Sequence, residues 1–254
     1  MVQRGGGKAV GLSEGFVWPG LVLAGGRLVW AESDTTSILE LEPTSGKVRV
    51  LAARTNMCSS LVIDDEKIYY TVNDSERSPT LYSIPRGGGK PSKLATGAGC
   101  VLAGDAVTLY TGWHDGIRAR RKRGGAWRTL GEGIRGVRAI AVDNDALYVS
   151  AWVDAEPGRI VKVPLAGGAP SDVVTGQRRP GLIAVGATHV CWTTENGAND
   201  GAILCSRKSG GAAITVDEHQ SGARWLAMSG DYVYWVVHNT KRSGTAVRRS
   251  RLAP

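Results

Sequence analysis

Apolar and polar positions along the chain follow one scheme six times. Ten-residue windows begin at Leu21 (LVLAGGRLVW), Leu61 (LVIDDEKIYY), Leu102 (LAGDAVTLYT), Ile140 (IAVDNDALYV), Ile183 (IAVGATHVCW) and Leu226 (LAMSGDYVYW). Each is a short apolar run, a polar turn of Gly, Asp or Asn, and a second run ending in aromatic or β-branched residues. That pattern predicts a β-hairpin. A third strand follows at Ser37–Leu41, Thr80–Ile84, Ile117–Lys122, Arg159–Val163, Ala202–Ser206 and Thr245–Leu252. A fourth follows at Val48–Leu51, Ser92–Leu94, Ala126–Leu130, Asp172–Thr175 and Ala213–Val216. No segment keeps a 3.6-residue period over ten residues, so the fold class is all-β.

The windows start 40, 41, 38, 43 and 43 residues apart. Four short strands per 40 to 45 residues is the spacing of a β-propeller, here with six four-stranded antiparallel blades. The chain then reads as a single six-bladed domain over residues 1–254. The sixth repeat stops at Pro254 with only three strands, and Lys8–Leu12 supplies the missing one. Residues 1–20 are therefore expected to complete the blade begun at 226–254, a velcro closure that removes an exposed sheet edge.

Composition adds bounds. There are 35 Gly and 10 Pro, as many tight turns require. No run of 18 apolar residues exists, so no membrane span is expected. Met1–Lys8 has no apolar stretch behind it. The protein is thus read as extracytoplasmic if a leader has been removed, and otherwise as cytoplasmic. Four cysteines lack any C-x-x-C spacing. Cys191 and Cys205 fall on hairpin neighbours, and Cys58 and Cys100 precede the first strands of adjacent repeats. Two disulfides and an oxidising compartment are one reading; four buried thiols are the other.

The net charge is +8, from 31 Lys and Arg against 23 Asp and Glu. It concentrates at Arg118–Arg128 and again at Lys241–Arg251. Such runs suit an anionic partner, or else solvated outer strands that resist edge pairing. With only Trp127 interleaved, nucleic acid is disfavoured.

The repeats resemble the YWTD-type propellers of lipoprotein-receptor ectodomains and the bacterial TolB/NHL-like six-bladed set. Val233-Tyr-Trp, Val190-Cys-Trp, Ile68-Tyr-Tyr and the run Arg159–Gly168 (RIVKVPLAGG) carry the resemblance. The YWTD aspartate is replaced by Glu32, Val72, Trp113, Ala151, Thr194 and Val237. The resemblance therefore implies the six-bladed fold and no receptor function.

In such a fold the loops after the second and fourth strands share one face, at the mouth of the central channel, where binding chemistry collects. The loops after the second strands place Ser33, Asn73, His114, Trp152, Glu195 and His238 at equivalent positions. Those entering the first strands bring Trp18, Arg54, Arg135, Arg138, Arg178, Arg179 and His219. The candidate ligand-binding residues are Trp18, His114, Asp115, Trp152, Arg178, Glu195, His219 and His238; no catalytic residue and no metal ligand is assigned. The Asp/Asn row that includes Asp115 reads as turn capping. Trp30, Tyr70, Trp192, Trp225 and Trp235 read as packing between blades.

No G-x-S-x-G elbow and no activated nucleophile is present, which favours binding over catalysis. The leading expectation is a non-catalytic recognition or scaffold propeller, a monomer, that binds a small molecule, glycan, peptide or protein at the channel mouth. It needs no cofactor. The alternative is a metal-assisted hydrolase, lactonase or lyase on the same face. A divalent metal would be held by the histidines with Asp115 or Glu195, or in the lactonase manner by Glu195, Asn73 and Asp154 or Asp115, with His238 or His114 as base.

Overall fold

A computed structural model describes residues 22–32, 36–42, 44–53, 55–73, 78–154, 156–194, 201–218, 223–239 and 244–252. Every regular element is a strand, and the strands form six antiparallel sheets in which each strand pairs with its chain neighbour. These are the six blades of a β-propeller. Residues 1–96 and 97–254 form two compact units.

The first unit holds two blades. Blade 1 comprises Val22–Ala24, Arg27–Glu32, Ser37–Leu41 and Val48–Ala52; blade 2 comprises Val62–Ile63, Lys67–Val72, Thr80–Pro85 and Ser92–Thr96. Between them lies a core of Val29, Ala31, Ile38, Ile68, Tyr70 and Ile84. Alternate residues of the second and third strands supply it, as a period of two requires. Inside the first unit Glu40 is fully buried, yet it is charged. Arg27, Arg49 and Arg86 all pair with its carboxylate, the first two through contacts of 3.1 and 2.6 Å. Arg86 also donates to the carbonyl of Ala24, so a residue of blade 2 is clasped onto blade 1. Burial alone would raise the Glu40 pKa; the hydrogen bonds from Arg86, Arg49 and Arg27 outweigh it and hold the carboxyl below its ordinary value.

The second unit holds four blades. They are Leu102–Gly104, Thr108–Trp113, Gly116–Arg121 and Arg128–Glu132; Val137–Val142, Ala146–Ala151, Gly158–Pro164 and Ser171–Gln177; Pro180–Val185, His189–Thr194, Ala202–Arg207 and Ile214–Asp217; and Ala223–Ser229, Tyr232–Asn239 and Gly244–Arg251. Cores form again from second and third strands, such as Leu147, Val149, Val161 and Val163 with Ile117 and Ala119. First strands of successive blades pack on one another; those of blades 4 to 6 are mostly half buried, whereas Leu102 and Ala103 of blade 3 are buried. The third strands start within one residue of expectation, and the fourth strand of blade 3 starts two residues later than expected. The sixth blade has three described strands. The closing strand expected at Lys8–Leu12 lies, with the rest of residues 1–21, outside the described residues.

All four cysteines are disulfide-bonded. Cys191 and Cys205 face each other directly across paired strands and are bonded to one another, fully buried. Trp30, Tyr70, Trp192 and Trp235 are buried as packing residues, whereas Trp225 on a first strand is only half buried.

The sequence reading overlooked a repeated hydroxyl. Thr71, Thr111, Ser150 and Thr193 each stand one or two residues before the end of a second strand, and all are buried. Thr111 Oγ1 accepts from the Gly99 amide at 2.8 Å and donates to the Val101 carbonyl at 2.7 Å. Thr193 Oγ1 accepts from the Leu182 amide, and Ser150 Oγ donates to the Gly181 carbonyl at 2.6 Å, reaching from blade 4 to blade 5. Thr71 offers its amide to Ser59 Oγ. The segment leading into a first strand is thereby pinned to a second strand. Thr111→Val keeps the volume but leaves the Gly99 amide and Val101 carbonyl without this partner. It should cost about 1–3 kcal/mol in chemical denaturation with an unchanged m-value.

Candidate functional site

Hairpin turns and loops divide by chemistry between the two ends of the blades. At the end holding the turns between strands one and two and between strands three and four, the left-handed positions are all glycines among the described residues, such as Gly46, Gly88 and Gly210. The non-glycine residues with positive φ are Thr36 (50°), Asn56 (46°), His114 (39°) and Arg179 (38°). All four belong to loops after second or fourth strands. Side chains in this region carry strain that collects at functional positions. Of the residues singled out from the sequence, His114, Asp115, Trp152 and Arg178 stand on loops of this kind.

In blade 3 the second strand ends at Trp113 and the third begins at Gly116, leaving His114 and Asp115 as a two-residue turn. Positive φ at the first turn position is the type II′ form that suits the strand twist. Both turn residues are exposed. The His114 ring meets Trp113 edge-on at 4.4 Å, and the Arg118 guanidinium lies 4.2 Å from the centre of the same indole. The carbonyl of Asp115 accepts from the Ile134 amide at 2.6 Å, so the turn is tied to the loop leading into blade 4.

In blade 4 Trp152 follows the second strand and is half buried. Two guanidinium groups lie over its ring, Arg138 at 4.0 Å and Arg179 at 4.9 Å. The Trp152 amide donates to the Gly136 carbonyl at 3.1 Å. A Cβ at position 136 would stand 2.0 Å from the Trp152 carbonyl oxygen, and φ there is +68°, so only glycine fits. Arg179 comes from the loop into blade 5, which the bond between Ser150 and Gly181 holds against blade 4 two residues away. Asp154 stands 3.5 Å from Arg179, and Glu156 the same distance from Arg135. Arg178 is exposed and makes no ion pair among the described residues. These loops carry four arginines against two carboxylates, and two of the arginines stack on one indole.

The eight candidates fall into three sets. His114, Asp115, Trp152 and Arg178 lie on neighbouring loops of blades 3 to 5, while Trp18, Glu195 and His219 lie outside the described residues. His238 is on the second strand of blade 6. Among the described residues no three His, Cys, Asp or Glu side chains group as metal ligands. His189 stands at the opposite end, buried, with its pKa lowered first by burial and then by Arg207. Asx capping is found at the opposite end too: Asp64 accepts from the Glu66 and Lys67 amides, and Asp105 from those of Val107 and Thr108. The Asp115 side chain makes no such bond. The stacking of Arg138 and Arg179 on Trp152 was not foreseen, although all three residues had been placed on this face.

No protein-family model and no curated protein sequence matches the chain. Solved structures do share its fold. The PQQ-bound aldose sugar dehydrogenase of Streptomyces coelicolor superposes with a TM-score of 0.66 at 15% identity, over 94% of this chain and 95% of that one. The nidogen/laminin complex gives 0.63 at 18% identity, over 89% of each chain. TolB of Acinetobacter baumannii gives 0.56 at 10% identity, over 76% of this chain and 52% of the other. The fold is thus a six-bladed propeller of the TolB, NHL and YWTD-like type.

Proposed function

We propose that this protein is a non-catalytic recognition propeller that binds a sugar, peptide or protein partner through the loops following its second and fourth strands. The observation that carries this reading is Trp152 beneath the guanidinium groups of Arg138 and Arg179. Arginine stacked on indole is worth about 0.5–1 kcal/mol when exposed and more when a partner excludes water. Stacking also holds each fork in place, so less side-chain entropy is lost when it meets a carboxylate or a sugar hydroxyl. Trp and Arg are the residue types that dominate binding hot spots. The His114–Trp113–Arg118 cluster of blade 3 extends the same chemistry to a neighbouring loop. The disulfides support work in an oxidising compartment. Among the neighbours, nidogen appears in a complex with laminin, a precedent for a propeller of this fold that engages a protein.

Glycan and peptide arrays probed with the wild-type protein and with Trp152→Ala test the proposal. Trp152→Ala should lower the affinity for every ligand found by about tenfold or more, the loss typical of a hot-spot aromatic. Its melting temperature should change little, because the ring is half exposed. Ligands that bind the variant as well as the wild type would place recognition elsewhere. Metal content by elemental mass spectrometry separates this reading from the metal-assisted hydrolase: near-stoichiometric divalent ion, lost on substituting His114 and His238, would favour the enzyme.

A further inference from the structure

The basic run of blade 3 separates in space. Arg118 turns to Trp113 on the ligand face. Arg120 is buried and donates Nε to the Gly125 carbonyl at 2.9 Å, and the buried Lys122 donates its amide to the Val107 carbonyl at 2.9 Å. These bonds fix the turn between strands three and four against the turn between strands one and two, at the end opposite the ligand face. Arg121, Arg123 and Arg128 are left around an open hollow of about 630 Å³, together with Val107 and Thr108. Small-molecule sites occupy about 300–1,000 Å³.

Two features separate this hollow from ordinary solvated charge. Several arginines of the outer strands have carboxylate partners: Arg159 with Asp172, Arg248 with Asp217, and Arg49 with Glu40. Arg121, Arg123 and Arg128 form no ion pair among the described residues. The nearby Asp105 is committed, with Oδ1 accepting the Val107 and Thr108 amides and Oδ2 the Tyr110 hydroxyl at 2.5 Å. Secondly, the hollow is not only cationic. Val107 is 66% exposed, a large apolar side chain in open water beside the arginine stems.

We infer that blade 3 carries a second ligand site, at the end opposite the recognition loops, which takes an organic phosphate monoester. The three guanidinium groups supply N–H donors of the kind that bind a tetrahedral oxyanion bidentately. Val107 and the arginine stems cover the apolar body of the ester. Three like charges around one hollow repel each other until a dianion neutralises them, so the site favours two negative charges over one.

Isothermal titration with phenyl phosphate, near pH 7.5 in low salt, tests this. One-site binding is expected, with inorganic phosphate at least about threefold weaker because the contact with Val107 is lost. Arg121→Gln, Arg123→Gln and Arg128→Gln combined should weaken phenyl phosphate binding by about tenfold or more. Val107→Asp should weaken it as well, whereas Trp152→Ala should leave it unchanged even where array ligands are lost. These side chains are exposed, so unchanged melting curves will certify the folded state, and Arg123→Gln alone, in the turn, is the fallback. Phenyl sulfate, a monoanion of the same shape, should bind more weakly than phenyl phosphate. Equal affinity in wild type and triple variant overturns the proposal, as does equal affinity for phenyl phosphate and inorganic phosphate. Tighter binding of an eight-nucleotide single strand, with a steep salt dependence, would replace the small-ligand site by a polyanion surface.

Discussion

Glu40→Ala is expected to destabilise the protein by about 2–4 kcal/mol, the low side of what breaking a buried ion pair costs. Glu40 has no exposed surface, and three guanidinium groups are aimed at it. Without the carboxylate those cations repel one another and lose their acceptor. The cost stays below that of a fully enclosed cluster because Arg27 and Arg49 are 40% and 47% exposed and can turn to water, whereas Arg86, at 17%, cannot do so freely. In thermal unfolding the change corresponds to roughly 5–15 °C. The effect has a pH signature. The folded-state pKa of Glu40 lies below its unfolded value, so its contribution is fully present above the ordinary glutamate range near 4.5 and is lost as the pH falls through the lowered value. The gap between wild type and Glu40→Gln, followed by urea titration from pH 7 down to pH 3, should therefore narrow with acidification. A gap of constant size would mean that the carboxylate contributes by shape and not by charge.

Removing the disulfide of blade 5 should have an effect of similar size. Cys191 and Cys205 are separated by 14 residues. Closing a loop of that length restricts the unfolded chain by about 3 kcal/mol in the entropic description. The double variant Cys191→Ala, Cys205→Ala should lose that amount, and slightly more from the space two missing sulfurs leave in a core of Ile203, Val233 and Trp235. Wild type unfolded in the presence of reductant should lose more than the double variant does without it, because Cys58 and Cys100 are reduced as well. Equal midpoints for wild type and double variant would remove the bond from the list of stabilising elements.

The hairpins and the sixfold repeat were legible because each second strand is a short apolar run, buried on both faces as in Ala146–Ala151, and the turns at one end need glycine or a capping Asp. Both requirements act on near neighbours. Glu40 shows where this stops. In the strand Ser37–Leu41 it reads like any outward-facing glutamate, and Arg86, which buries it, comes from 46 residues further on. The hydroxyls at Thr71, Thr111, Ser150 and Thr193 did recur with the repeat, but threonine and serine are ordinary in strands and drew no notice. The run Arg118–Arg128 misled in another way. Its charges are contiguous in sequence, yet Arg118 lies toward the loop end of its strand beside Trp113, Arg120 toward the other end beside Gly125, and Arg123 in the turn beyond. Of the candidate site, the loops were legible from the repeat alone. The stacking on Trp152 was not, because it depends on how two loops from successive blades approach each other.

The hydroxyl ties of Thr111, Ser150 and Thr193 are made to backbone atoms of the loop bases and not to loop side chains. A loop at this end can therefore be rewritten by mutation, residue by residue, while the bond that holds its base remains available. Descent is then free to proceed one blade at a time, each altered loop inheriting an anchor that the alteration did not touch. On such a lineage the strands and ties would remain recognisable in three dimensions long after the sequences had diverged. This chain shares its fold with three solved propellers at only 10–18% identity to each.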